Sequence, residues 1–149
     1  MTRTLYRETA QWTSAPRALK GWCTAVLACG LTGATFGQSL QDAPLPAEIS
    51  LVQENGALKL RDDNGRSLYV YERDPVGTSV CIDQCAREWP PVAAPQDAHQ
   101  IGDWTPVRRK DGSLQWAYKG KPVYTFRGDT ETGQTNGAGI GGLWRLLAP

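Results

Sequence analysis

From residue 49 onward, short apolar stretches alternate with polar punctuation. Residues 49–53, 58–61 and 68–73 read as extended runs, separated by Asn55-Gly56 and Asn64-Gly65, dipeptides whose positive backbone angles suit tight hairpins. Inside the runs, apolar side chains recur at every second position: Leu58 with Leu60, and Tyr69 with Tyr71. That spacing places one face of a strand on a core. The pattern then returns as 104–108, Asp111-Gly112, 114–118, Gly120 and 123–127, where Leu114 shares a side with Trp116 and Tyr124 with Phe126. A fourth run closes each set, at 89–92 and at 143–147, and the prolines of Trp89-Pro90-Pro91 predict an edge or irregular piece there. The expectation is an all-β domain of two tandem antiparallel β-meanders, each with one aromatic face.

The two sets are copies. Tyr69, Asp74 and Trp89 recur as Tyr124, Asp129 and Trp144 at a constant offset of 55 residues, and Gly65 recurs as Gly120. A shared register across glycine, aromatics, acid and tryptophan points to one supersecondary unit used twice, at 48–95 and 103–149. The copies differ most between their third and fourth runs. Residues 78–88 hold Cys81, Cys85 and enough Ala, Arg and Glu for a short helix near Cys81 to Glu88, whereas 130–142 is a glycine loop that cannot be helical.

The first third has another composition. Arg17 and Lys20 precede an apolar run, Trp22 to Leu31, and small residues follow at Thr32, Gly33, Ala34 and Gly37. A basic region, an apolar region shorter than the roughly 20 residues of a membrane span and a small-residue exit predict a secretory signal over 1–37, with cleavage after Ala34 or Gly37. A lipidated Cys29 is the alternative, weakened by Leu27 where a small residue belongs; an uncleaved anchor and a buried N-terminal helix remain open. Residues 38–47 form a mobile, proline-containing linker, and the periplasm or the exterior is the expected location.

Removal of 1–37 leaves 112 residues, enough for one small domain. Of the 16 basic and 15 acidic residues, Arg3, Arg7, Arg17, Lys20 and Glu8 lie in the leader, so the remainder holds 12 and 14 and is slightly acidic. Arg108-Arg109-Lys110 is a short cluster at a hairpin and not a basic surface, which excludes nucleic acid as a partner. A membrane partner is expected only if Cys29 is lipidated or the leader stays uncleaved. The mature part keeps two cysteines, Cys81 and Cys85, which in an oxidising compartment read as a local disulfide.

Two copies of Tyr-x4-Asp with an aromatic two residues after the Tyr, Cys81-x3-Cys85-x3-Trp89-Pro-Pro after the first, and a glycine stretch before Trp144 after the second together resemble the bacterial secreted-repeat family, whose members are often predicted lipoproteins. The similarity spans roughly 48–149. It implies a small exported repeat protein and supplies no reaction.

Tyr69, Tyr71, Asp74, Trp89, Tyr124, Phe126, Asp129 and Trp144 are therefore the residues to place. On the structural reading each Asp caps the loop that follows it and the aromatics pack between the copies. On the functional reading they form twin sites for a sugar or peptide. His99, the single histidine, sits in a Pro/Ala/Gln-rich connector with no nucleophile motif beside it, and no carboxylate pair has a spacing that implies opposed roles. No enzyme, metal or cofactor is expected. The predicted role is a binding or interaction module of the cell envelope with an unidentified envelope or extracellular ligand. A copper or thiol-redox protein using Cys81 and Cys85, and a structural envelope protein, are the rival classes.

Overall fold

The structure is a computed structural model and describes residues 43–149; the predicted signal segment and the start of the linker lie outside the described residues. Eight strands run through it: β1 (Ile49–Glu54), β2 (Ala57–Asp62), β3 (Tyr69–Tyr71), β4 (Ala93–Ala94), β5 (Trp104–Arg108), β6 (Leu114–Tyr118), β7 (Lys121–Tyr124) and β8 (Trp144–Leu146), with one short helix, α1 (Gln84–Glu88). All strand pairs are antiparallel.

Turn chemistry explains the hairpins. Asn55 and Gly56 both take positive φ, 51° and 78°, and close β1 on β2 through two residues. Lys119 and Gly120, at 49° and 78°, do the same between β6 and β7. Two consecutive positive angles match the right-handed twist of the flanking strands. A Cβ at Gly120 would also stand 2.8 Å from the methyl Cγ1 of the exposed Val76, which would have to turn aside.

β1 and β2 form a ribbon of their own, while the larger sheet runs β4-β6-β7-β3-β8 with β5 on the other side of β6. So β5-β6-β7 is the expected meander of the second copy, but the first copy makes none, because its chain leaves the ribbon after Asn64-Gly65 and carries β3 into the larger sheet. At its centre β3 pairs with β7, so Tyr69 lies directly opposite Tyr124. The fourth runs correct one expectation: they do not close their own copies. β8, from the second copy, pairs with β3 of the first, setting Tyr71 opposite Trp144. The proline piece of the first copy runs along the second, with Val92, Thr125 and Arg127 N–H donating to the carbonyls of Val123, Pro90 and Glu88. Prolines keep that piece out of regular strand geometry, as expected, and the two copies are interlocked by exchanged edges.

Three further corrections concern segments. The glycine loop contains a 3-10 turn at Ile140–Gly142, tolerated because Gly141 sits at φ 59° inside it. The third runs are shorter or shifted, Tyr69–Tyr71 and Lys121–Tyr124, because the chain turns at Asp74 and Asp129, whose N–H groups donate back to the carbonyls of Tyr71 and Phe126. The described end of the linker is not loose, for Pro46 is buried and its carbonyl accepts from Ile49 N–H.

Two clusters make the core. One is mainly aliphatic with Trp104 and Trp116; the other gathers Tyr69, Cys81, Trp89, Tyr124 and Trp144, with Tyr71, Cys85 and Phe126 packed on it. Among the described residues no helix is long and apolar enough to cross a membrane.

Candidate functional site

The repeated motif residues all meet in the second cluster. Facing strands bring the two tyrosines together, and each hydroxyl passes over to the acid of the other copy. Tyr69 Oη donates to Asp129 Oδ2 at 2.6 Å, and Tyr124 Oη donates to Asp74 Oδ2 at 2.5 Å. The second carboxylate oxygen of each acid accepts from its own following loop, Asp74 Oδ1 from Val80 N–H and Asp129 Oδ1 from Asn136 N–H, both at 2.8 Å. So each Asp does cap a loop, while its other oxygen ties the repeats together. Both tyrosines are fully buried, and Asp74 and Asp129 are only 2% and 3% exposed.

Between these pairs the rings form a column. Trp89 and Trp144 lie parallel at 3.6 Å, Tyr71 stacks on Trp144 at 4.5 Å, and Phe126 leans on Trp89 at 4.4 Å. Tyr69 and Tyr124 meet Trp89 and Trp144 edge-on, each at 5.3 Å. Gly137 lies against this column because a Cβ there would come within 2.7 Å of the Trp89 ring, so close approach is one reason that loop carries glycine.

Burial raises the pKa of Asp74 above the usual carboxylate value, opposed by the hydrogen bonds from Tyr124 and Val80 and by the charges of Lys121 and Arg109. Burial, then the neighbouring carboxylates, push both phenols well above their ordinary range, so they stay protonated. A carboxyl whose folded pKa is raised binds more protons folded than unfolded. Its stabilising contribution is complete below the unfolded value near 3.8 and is lost as pH climbs through the folded value. The stability difference between wild type and Asp74→Asn should thus be most favourable to wild type in acid and shrink with rising pH. Denaturant melts across that range check it; a difference that grows with pH would reverse the sign.

Sequence reasoning missed Arg109. It is buried, and its guanidinium donates to Ser79 Oγ at 2.7 Å, Gln115 Oε1 at 2.6 Å and the Cys81 carbonyl at 2.7 Å. Ser79 also shares a 2.7 Å hydrogen bond with Tyr124 Oη, so Arg109 reaches the Asp74 pair through one hydroxyl. Arg109 Nε has no hydrogen-bond partner, and Asp111 Oδ2 stands 4.0 Å away. A three-residue basic run gave no hint that its middle member turns inward.

Cys81 and Cys85 are disulfide-bonded with Cα atoms 5.2 Å apart, so neither offers a thiolate. The closed ring is so short that loop entropy accounts for about 2 kcal/mol. Its local effect is larger, since Cys81 joins the aromatic cluster while Val80 and Ser79 just before it bind Asp74 and Tyr124. Among the described residues no group of three or more His, Cys, Asp or Glu is placed to hold a metal ion, and His99 lies exposed.

An apolar concavity lies elsewhere. A groove of about 330 Å³ is lined by Leu51, Leu60, Asp103, Trp104 and Tyr118, with Pro44 and Pro149 beside it. Trp104 and Tyr118 are strand partners with rings 4.8 Å apart, and Lys119 Nζ sits over the Tyr118 ring at 4.7 Å and 3.8 Å from Asp103. At the 55-residue offset the first copy has Ile49 and Asp63 in place of Trp104 and Tyr118, and Ile49 pairs instead with Asp62, which is held in an ion pair with Arg66 at 2.8 Å. The ring pair of the groove is therefore supplied by the second copy alone, while Leu51 and Leu60 of the first copy form its apolar floor.

No curated protein matches the chain, and no solved structure does. One family model matches twice, over residues 52–93 and 105–148, and its description is a secreted repeat of unknown function. That description supports a location outside the cytoplasm, and the two matches cover the two interlocked copies. The chain belongs to this family of secreted repeats.

Proposed function

We propose that the protein is a non-enzymatic binding module of the cell envelope, and that its ligand sits in the groove beside Trp104 and Tyr118. The supporting observation is how the two copies divide their residues. What both copies share, Tyr, Asp and Trp, is turned inward and hydrogen-bonded or stacked within the domain. What only the second copy has is the Trp104–Tyr118 ring pair that walls the groove. Positions used twice serve the joint between repeats; positions that depart from the repeat are free to serve a ligand.

An apolar floor of Leu51 and Leu60, a half-buried Tyr118 ring and the Asp103 and Lys119 groups at the rim suit a sugar ring, which has one apolar face and a polar edge. Saturation-transfer NMR with short oligomers of glucose and of N-acetylglucosamine tests this. Signal from at least one series, lost in Tyr118→Ala, is expected. Silence from both, or binding that survives Tyr118→Ala, would overturn the reading.

A further inference from the structure

Packing alone does not explain the chemistry of the aromatic cluster. A joint between two repeats needs apolar rings, and phenylalanine would serve at 69 and 124. Instead the chain buries two phenols and two carboxylates, groups whose desolvation is costly and is only offset by good hydrogen bonds. It does so in both copies, and both phenols touch the same tryptophan stack.

Five oxidisable rings are in contact there. Tyr71, partly exposed, stacks on Trp144; Trp144 lies on Trp89; Tyr124 and Tyr69 abut Trp144 and Trp89. At such separations ring edges are in van der Waals contact, and an electron passes between aromatic systems without a bridging group. A tyrosine gives up an electron readily only if its phenolic proton leaves too, because the radical cation is a very strong acid. Tyr69 and Tyr124 each have a carboxylate oxygen at hydrogen-bond distance to receive that proton.

We propose that this column is a one-electron relay, carrying an oxidising equivalent from Trp144, which lies beneath the partly exposed Tyr71 ring, to Tyr69 and Tyr124 inside. A one-electron oxidant at the surface, a metal complex or an organic radical, takes an electron from Trp144 and is itself reduced by one electron. The Trp144 radical cation is refilled by Trp89 or by Tyr124. When Tyr69 supplies the electron to Trp89, its proton moves to Asp129 Oδ2, leaving a neutral phenoxyl radical and a carboxylic acid. Tyr124 does the same with Asp74. No bond between heavy atoms forms or breaks, and a one-electron reductant, a thiolate or an enediol that is itself oxidised by one electron, returns the electron while the proton goes back. The raised pKa of both phenols agrees, because electron loss must then be coupled to that proton transfer.

The test uses the exported protein carrying Tyr71→Phe and Tyr118→Phe, with Tyr6→Phe added so that a retained leader brings no phenol, which leaves Tyr69 and Tyr124 as the only tyrosines. Photogenerated tris(bipyridine)ruthenium(III) is the oxidant, and electron paramagnetic resonance reads the radical. A neutral phenoxyl signal is expected, most of it lost on adding Trp89→Phe and Trp144→Phe. Adding Asp74→Asn and Asp129→Asn instead should leave a tryptophan radical in its place. Absence of phenoxyl in the parent, or an equal yield without the two tryptophans, overturns the relay. If the tryptophan variants do not fold, the paired Asn variant decides alone, and an unchanged phenoxyl yield there overturns it.

Discussion

Trp144→Ala should destabilise the domain by about 3–5 kcal/mol, the usual cost of truncating a buried tryptophan. One side chain is lost, but three contacts go with it: the parallel stack on Trp89 at 3.6 Å, the stack under Tyr71 and the edge contact from Tyr124. Small domains have total stabilities of only about 5–15 kcal/mol, so a loss of this size consumes much of the total. The midpoint of a urea melt should fall sharply with an unchanged slope, since the surface exposed on unfolding is nearly the same. Trp89→Ala should cost a similar amount, and the double variant less than the two together, because both truncations break the same stack. Near-wild-type melting of either single variant would mean the column does not hold the repeats together.

Tyr124→Ala should be nearly as severe, about 3–5 kcal/mol, and here ring and hydroxyl can be separated. Tyr124→Phe keeps the ring and removes the donor to Asp74 and the link to Ser79, at a cost of about 1–3 kcal/mol for leaving a buried carboxylate under-satisfied. The exchange between copies has its own signature. Tyr69→Phe should couple strongly to Asp129→Asn and be close to additive with Asp74→Asn, because the hydroxyl of Tyr69 bonds the acid of the other copy and not of its own. Coupling of Tyr69 to Asp74 instead would refute the exchanged pairing.

Alternation, turn dipeptides and the 55-residue offset are local properties, so the residues alone determined β1, β2, β5 and β6, the two-residue turn at Asn55-Gly56, the short helix and the repeat. The Cys81–Cys85 disulfide was legible for the same reason, since four residues of separation leave little choice of partner. Period-two spacing says which side chains share a face, and says nothing of which faces meet. Hence only the tertiary structure decided that β8 crosses to β3, that Tyr69 bonds Asp129 and Tyr124 bonds Asp74, and that Trp89 lies on Trp144. Arg109 went unseen because a guanidinium is buried when partners from distant segments converge on it, and Ser79 and Cys81 lie 30 and 28 residues away. The groove was equally hidden, for Leu51 and Leu60 of one hairpin reach Trp104 and Tyr118 of the other only once the chain has folded.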